Sequence, residues 1–291
     1  MRAVLISIAV LVAVSAVTGI SLLYAQRQAT MIPANSPAVY LEKKTVDSQK
    51  QTVVLLGDSL THGAVCASYA EKLLEKLERE KPDTFELVNA GVNARFAYNV
   101  LLQIDQVAAC DPDFVIVLIG TNDAHSGLMT PEQLARRMEE LSLPQTPHAD
   151  WYRENLRIIA SRLVEETEAD VAFLSLPTLG EVPEHPAYRL SEEYSAIVKA
   201  TADEYGIAYL PLFERMDSYL REHPGNPKHQ YAETRSLMMK GILQHYVTRL
   251  SWNRIGEKNG FTLHTDFLHL NDSGAGMVAD LVAGYILDSV R

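Results

Sequence analysis

The chain has 291 residues, of which 47% are hydrophobic and 22% charged, and its 26 basic and 37 acidic side chains give a formal net charge of −11. These values fit a soluble globular protein and set aside collagen-like, disordered and polytopic-membrane classes. An acidic chain with no Lys/Arg block is poorly suited to nucleic acid, and two cysteines make neither a disulfide framework nor a CxxC zinc motif.

The first fifty residues differ from the rest. An uncharged stretch from Ala3 to Gln26 lies between Arg2 and Arg27. Roughly 20 apolar residues span a bilayer, whereas the apolar part of a signal peptide usually has ~7–15. The length favours an uncleaved membrane anchor over residues 1–26. Ser7, Ser15, Thr18 and Ser21 dilute the stretch, and Ala13-Val14-Ser15 resembles a cleavage site, which keeps a cleaved signal peptide open. Either reading places the remainder outside the cytoplasm, periplasmic or secreted. Residues 27–51, with Pro33, Asn35, Ser36 and Pro37, read as a linker. Beyond residue 50, 21 basic against 35 acidic side chains leave −14 for a single α/β domain over 52–291.

Thr52–Leu56 is a continuous apolar run ending at Gly57, as in a strand buried on both faces. Ser68–Glu80 has helical spacing through Tyr69, Leu73, Leu74 and Leu77 and stops before Pro82. Phe85–Asn89 reads as a second strand and Ala97–Ala109 as a second helix. Phe114–Ile119, between Pro112 and Gly120, is the strongest strand signal. Thr130-Pro-Glu-Gln133 has the form of a capping box with proline at the first helical position. Further helices are expected over Trp151–Glu166, Ser191–Tyr205 and about Gly274–Val290, with strands at Val171–Leu176 and Ile207–Leu210. The alternation predicts a parallel sheet covered by helices on both faces, a flavodoxin-like three-layer α/β/α sandwich with five strands in the order 2-1-3-4-5.

Short motifs sit where this order places chemistry. Gly57-Asp58-Ser59-Leu60 follows the first strand, so Ser59 enters a helix N-terminus whose free N–H groups suit a developing oxyanion. An ordinary N-cap is the competing reading. Gly120-Thr121-Asn122-Asp123 follows the third strand, where Asn122 can offer a side-chain N–H or simply make a turn. Gly91 follows the second strand, where a backbone N–H can approach a ligand closely. Asp266-Phe267-Leu268-His269 precedes the last helix. There a carboxylate three residues from a histidine can take the Nδ1 proton and free Nε2 as a base, with a metal-ligand pair or surface turn as rivals.

These four blocks, in this order, resemble those of the SGNH (GDSL-type) serine hydrolase family over roughly Thr52 to Arg291. The resemblance implies an esterase, lipase or carbohydrate deacetylase that needs neither metal nor cofactor. It implies Ser59 as nucleophile, His269 as base, Asp266 as its orienting partner, and an oxyanion hole from the Ser59 N–H, the Gly91 N–H and the Asn122 side chain. The implied substrate is a small ester or an acylated glycan or lipid. O-acetyl deacetylation of a cell-wall or other polysaccharide, and a catalytically silent envelope-binding module, are the alternatives. The family's second block often continues with another glycine, where this chain has Asn93-Ala94-Arg95-Phe96. If that position needs positive φ, Ala94 is strained or the loop takes another path.

His62, His125, His185 and His264 are read as packing or solvated residues, and Asp58 and Asp123 as braces of their turns. Cys66, expected inside the first helix, and Cys110, at the opposite sheet end, are not expected to pair. A helical insertion over about 228–256 carries Met239, Ile242, Leu243, Tyr246, Val247 and Leu250 in one apolar stripe within Tyr231–Arg254. Packing on the core is its plain reading. A substrate lid or membrane-facing helix is the other.

Overall fold

A computed structural model of the chain describes residues 19–43 and 50–290. Its centre is a five-stranded, all-parallel sheet in the order β2-β1-β3-β4-β5. The strands are β1 (Gln51–Gly57), β2 (Phe85–Gly91), β3 (Phe114–Leu118), β4 (Asp170–Leu174) and β5 (Ala208–Leu210). Each lies on the run predicted for it, and the predicted order holds.

The helices are α1 (19–30), α2 (Pro37–Lys43), α3 (Ser59–His62), α4 (Tyr69–Glu80), α5 (Ala97–Leu101), α6 (Ile104–Ala109) and α7 (Thr121–Ser126). There follow α8 (Pro131–Leu141), α9 (Ala149–Glu166), α10 (Pro186–Tyr205), α11 (Leu212–Glu222), α12 (Thr234–Thr248), α13 (Trp252–Asn259) and α14 (Asp272–Ser289). Successive residues of a strand point to opposite faces, so β1 feeds both layers. Val53 and Leu55 join Leu73, Leu77, Val278 and Val282 on one side. Val54 and Leu56 join Val100, Ile104, Ile159 and Leu163 on the other. Burying each such side chain contributes roughly 1.5–3 kcal/mol.

The helix expected over Ala97–Ala109 is two, because the chain turns at Leu102 and Gln103 while Val100, Ile104 and Val107 stay on the sheet. At α8 the capping box forms as expected, Thr130 Oγ1 accepting from Gln133 N–H and the Gln133 side chain accepting from Thr130 N–H. Cys66 lies in the loop between α3 and α4 rather than inside a helix, and both cysteines are buried thiols not joined in a disulfide.

The expected anchor or signal segment over 1–26 lies outside the described residues except for 19–26. No helix among the described residues is long and apolar enough to cross a membrane. The segment expected as a linker, 27–51, is folded onto the domain over its described part. Ala25 and Ala29 of α1 are buried against Val65 and Ile242. Asn35 covers the edge strand β2, its carbonyl accepting from Asn89 N–H at 2.9 Å and its Nδ2 donating to Leu87 O at 2.9 Å. Tyr40 is buried and its hydroxyl bonds Thr52 Oγ1 at 2.9 Å. Docking of this kind leaves little sequence signal, because it uses small residues and backbone carbonyls.

The stripe expected on the insertion is corrected in the same way. Met239 and Val247 are exposed on α12, whereas Leu237, Gly241 and Ile242 are buried. Both flanks of α12 are engaged: Leu237 packs with Phe261 and Phe267, while Ile242, Met238, Leu243 and Tyr246 meet α1 and Val65. Tyr246 donates its hydroxyl hydrogen to Ala64 O at 2.8 Å. Ile242, Leu243 and Tyr246 of the stripe therefore pack, as in the plain reading, while Met239 and Val247 face solvent.

Candidate active site

The register aligns Gly57 with Gly91 on one side and with Leu118 on the other. The C-terminal ends of β1, β2 and β3 therefore open onto one edge of the sheet, the switch point of this strand order. Asp58 caps α3, its Oδ1 accepting from Leu60 N–H at 3.0 Å. The first N–H groups of a helix have no intrahelical acceptor; with Leu60 taken by the cap, the N–H of Ser59 remains for a ligand.

Ser59 Oγ lies 3.1 Å from Nε2 of His269, across 210 residues of sequence. Nδ1 of His269 lies 3.0 Å from Asp266 Oδ2. Asp266 Oδ1 also accepts from Leu268 N–H at 2.7 Å and His269 N–H at 2.9 Å, which fixes the carboxylate against the backbone of its own turn. Burial pushes the Asp266 carboxyl up, but the charge and hydrogen bonds of His269 and the two N–H groups outweigh it and hold it below its ordinary value. Burial works against a charged His269, yet the Asp266 charge and hydrogen bond, with a smaller contribution from Asp58, hold this ring above 6.5. Ser59 is 8% exposed and His269 6% exposed, so the pair opens to solvent only narrowly.

Gly120 (φ 124°) admits the sharp entry to α7. The turn predicted for Gly120–Asp123 is thus the start of a short helix. Asn122 Nδ2 gives one bond to Asp58 Oδ2 at 3.2 Å and one to Arg95 O at 3.1 Å. Asp123 accepts from Ala97 N–H with both carboxylate oxygens, at 3.3 and 3.1 Å. Asp58 thus braces its own turn, as predicted, whereas the Asp123 carboxylate holds the start of α5 instead. Burial raises Asp58 to about 6, against the pull of Leu60 N–H, His269 and Asn122, and raises Asp123 to about 7.

Gly91 is placed at the site but not as predicted. Its N–H donates to Asn89 Oδ1 at 2.9 Å and is not offered to a ligand. Its lack of a side chain serves another end: a Cβ there would stand 2.2 Å from His62 N and 2.6 Å from Thr61 C, inside the backbone of α3. Asn89 completes this joint, donating from Nδ2 to Thr61 O at 2.9 Å. Ala94 stands out in the sequence only as a point of strain, with no role in the site. It takes φ 63°, a left-handed conformation costing a residue with a Cβ about 1–2 kcal/mol, so the loop does not evade the strain. Among the described residues its N–H donates no hydrogen bond, and the next carbonyl, of Arg95, is held by Asn122. The mismatch at Asn93-Ala94 was the available signal.

A second buried pair supports the Asp266–His269 turn. Glu181 Oε1 accepts from Leu263 N–H at 2.7 Å, His264 N–H at 3.1 Å and His264 Nδ1 at 2.9 Å, and Oε2 accepts from Thr262 N–H at 2.7 Å. His264 Nε2 donates to Thr178 O at 2.8 Å. His264 is therefore a packing residue, as predicted, and clamps the segment leading to Asp266. His125 bonds Tyr231 Oη through Nδ1 at 2.8 Å, and burial, with the charges of Arg137 and His269, lowers it to about 4. His185 stacks on the Tyr231 ring at 5.0 Å. Tyr231, His185 and Phe267 line a cavity of 430 Å³ beside the Asp266–His269 turn. Among the described residues no group of three or more His, Cys, Asp or Glu is arranged to hold a metal ion.

The family model of the GDSL-like Lipase/Acylhydrolase family matches residues 55–276. No curated protein matches the chain significantly. Among solved structures, an acetylxylan esterase from Geobacillus stearothermophilus is similar at 16% identity and TM-score 0.56, over 82% of this chain and 96% of that one. The acetyl xylan esterase AlAXEase is similar at 20% identity and TM-score 0.57, over 81% of this chain and 99% of that one. An α/β hydrolase enzyme from the metagenome of Lake Arreo, Spain, is similar at 18% identity and TM-score 0.54, over 80% and 94%. At these identities the likeness is one of fold.

Proposed function

The chain belongs to the GDSL-like lipase/acylhydrolase family and is a carboxylic ester hydrolase, and on that premise we propose that it works through an acyl-enzyme on Ser59. The observation that carries this reading is the relay from Ser59 Oγ to His269 Nε2 at 3.1 Å and from His269 Nδ1 to Asp266 Oδ2 at 3.0 Å. Asp266 keeps the proton on Nδ1, so Nε2 takes the hydroxyl proton as Oγ attacks the ester carbonyl. The oxyanion is met by the Ser59 N–H, the Ala94 N–H and one hydrogen of Asn122 Nδ2. An oxyanion is a stronger acceptor than the neutral Arg95 carbonyl and draws that hydrogen away from it. His269 then returns the proton to the departing alkoxide. Water, deprotonated by the same ring, attacks the acyl carbon, and His269 hands that proton to Ser59 Oγ as the C–Oγ bond breaks and the carboxylic acid product leaves.

Ser59→Ala is the test. Hydrolysis of nitrophenyl acetate is expected to fall ~10⁴-fold or more with the melting temperature retained, and a fluorophosphonate probe is expected to label wild type only. An active Ser59→Ala protein overturns the mechanism. A silent binding module is disfavoured by the intact relay, since nothing in a scaffold needs a serine hydroxyl aimed at Nε2.

A second, narrower reading is that the acyl group is acetyl carried on a polysaccharide. It is supported by the acetylxylan esterases among the similar structures and by the near-burial of Ser59 and His269, which favours a small acyl group. Acetate release from acetylated xylan, beside a nitrophenyl ester series from acetyl to decanoyl, tests it. Equal or better turnover of the long esters overturns it. An extracytoplasmic location is proposed from the uncharged stretch 3–26, and a reporter fused after Leu41 that is active only in the cytoplasm would oppose it.

A further inference from the structure

The loop from β2 to α5 is gripped on both sides of the strained Ala94. On one side Asn93 Nδ2 donates to the carbonyl of Ala29 in α1 at 2.8 Å. On the other Asn122 Nδ2 donates to Arg95 O at 3.1 Å. The first grip comes from outside the catalytic blocks. It depends on α1 being seated, and α1 is seated by Ala25 and Ala29, which are 2% and 6% exposed against Val65 and Ile242. Farther along the same arm, Asn35 exchanges two hydrogen bonds with the edge of β2 at Leu87 and Asn89. Asn89 in turn binds Thr61 O in α3 and the N–H of Gly91. The arm thus holds the loop at its entry and beside its strained residue. Asn93 Oδ1 is buried without a partner, so the bond to Ala29 is what the Asn93 amide contributes.

We propose that the segment 25–36 is a positioning element of the active site: through the Ala29 carbonyl and Asn93 it holds Ala94 in the left-handed conformation that leaves its N–H for the substrate oxyanion. The proposal rests on the reading of Ala94 N–H as an oxyanion donor. A glycine would adopt this conformation unaided; with alanine there, the conformation has to be imposed by neighbours. The arm is accordingly more than a tether. Anything that unseats α1 loosens a donor in the site, and the loss falls on the transition state rather than on substrate binding.

The experiment uses the full chain and nitrophenyl acetate. Asn93→Asp removes the donor and sets a carboxylate against the Ala29 carbonyl, and Ala25→Asp unseats α1 independently. Each is expected to lower kcat ~10-fold or more with KM within about two-fold, against the ~100–1,000-fold loss typical of a deleted donor. Because both act through one contact, the double variant is expected to be little worse than either single. Adding Ala94→Gly to Asn93→Asp is expected to restore most of kcat, a rescue that a merely structural role for the arm does not predict. Unchanged kcat in Asn93→Asp, or additive losses without rescue by Ala94→Gly, overturns the proposal. Ser59→Ala run in parallel separates the causes: if it is inactive while the Asn93 variants are normal, the arm proposal alone fails, and if it is active, the catalytic reading fails with it.

Discussion

Asp58 and Asn122 are joined by a 3.2 Å hydrogen bond from Asn122 Nδ2 to Asp58 Oδ2, which ties the turn after β1 to the turn after β3. A carboxylate only accepts, so it dictates that Asn122 presents nitrogen rather than oxygen at this point. Asp58→Asn is expected to keep the α3 cap, since an amide oxygen still accepts from Leu60 N–H. Its new NH₂ would favour a flipped Asn122 with an acceptor where the oxyanion needs a donor. The expected result is a fall in kcat of ~100-fold, within the range for loss of one oxyanion donor, at nearly unchanged KM. Steady-state kinetics with a short-chain ester check it, and a kcat within two-fold of wild type would refute the orienting role.

The acid limb of the pH profile is expected to report His269. The ring is held above 6.5, burial being outweighed by Asp266, and only its neutral form is a base. Thus kcat/KM should rise with pH through a midpoint above 6.5. In Asp266→Asn the main raising charge is gone while burial and the smaller pull of Asp58 remain, so the midpoint should move down. The plateau should drop ~10⁴-fold because the tautomer is no longer fixed. A midpoint that stays in place would assign the limb to another group.

Two small residues three positions apart should respond in opposite ways. Gly91→Ala drives a Cβ into the backbone at His62 and Thr61, where no flexible side chain can yield, so α3 and Ser59 must shift. Activity and melting temperature are both expected to fall. Ala94→Gly removes a left-handed residue bearing a Cβ and should stabilise by about 1 kcal/mol, raising the melting temperature by ~2–4 °C. Calorimetry on the two variants checks both signs.

Much of the scaffold could be read from the sequence because a parallel sheet buried on both faces leaves continuous apolar runs. Val53–Leu56 and Phe114–Leu118 needed no tertiary context. Ser59, Asn122, Asp266 and His269 were legible because each sits in a short block at a strand or helix end. The Gly91 N–H is bonded to Asn89 Oδ1, and a glycine required for close packing on α3 and one required for a free N–H look alike in sequence. Helix α11 was overlooked although Leu212, Phe213, Met216 and Leu220 have helical spacing, since only Pro211 separates it from β5. The docking of α1 through Ala25, Ala29 and a backbone carbonyl, and the pairing of Glu181 with His264 across 83 residues, leave no local pattern to find.

That last pairing yields a stability prediction with a defined pH dependence. Burial pushes the Glu181 carboxyl up, but the hydrogen bond and charge of His264 and the N–H groups of Thr262 and Leu263 hold it below its ordinary 4.5. A carboxylate depressed in the folded state contributes stability that is present above its unfolded pKa and is lost as pH falls through the folded one. Glu181→Gln keeps one acceptor but turns an NH₂ toward the Thr262 N–H and takes the carboxylate away from His264. The expected loss near pH 7 is on the order of 3–5 kcal/mol, the usual range for breaking a buried pair, or roughly 10 °C. The gap to wild type should narrow below pH 4.5 as Glu181 itself takes up a proton. Because the pair anchors Thr262–His264 just before Asp266, kcat should fall with stability, whereas KM should change little. Melting curves from pH 3 to 8 decide the matter: a difference that is constant across that range would mean that the ionised pair contributes nothing beyond its shape.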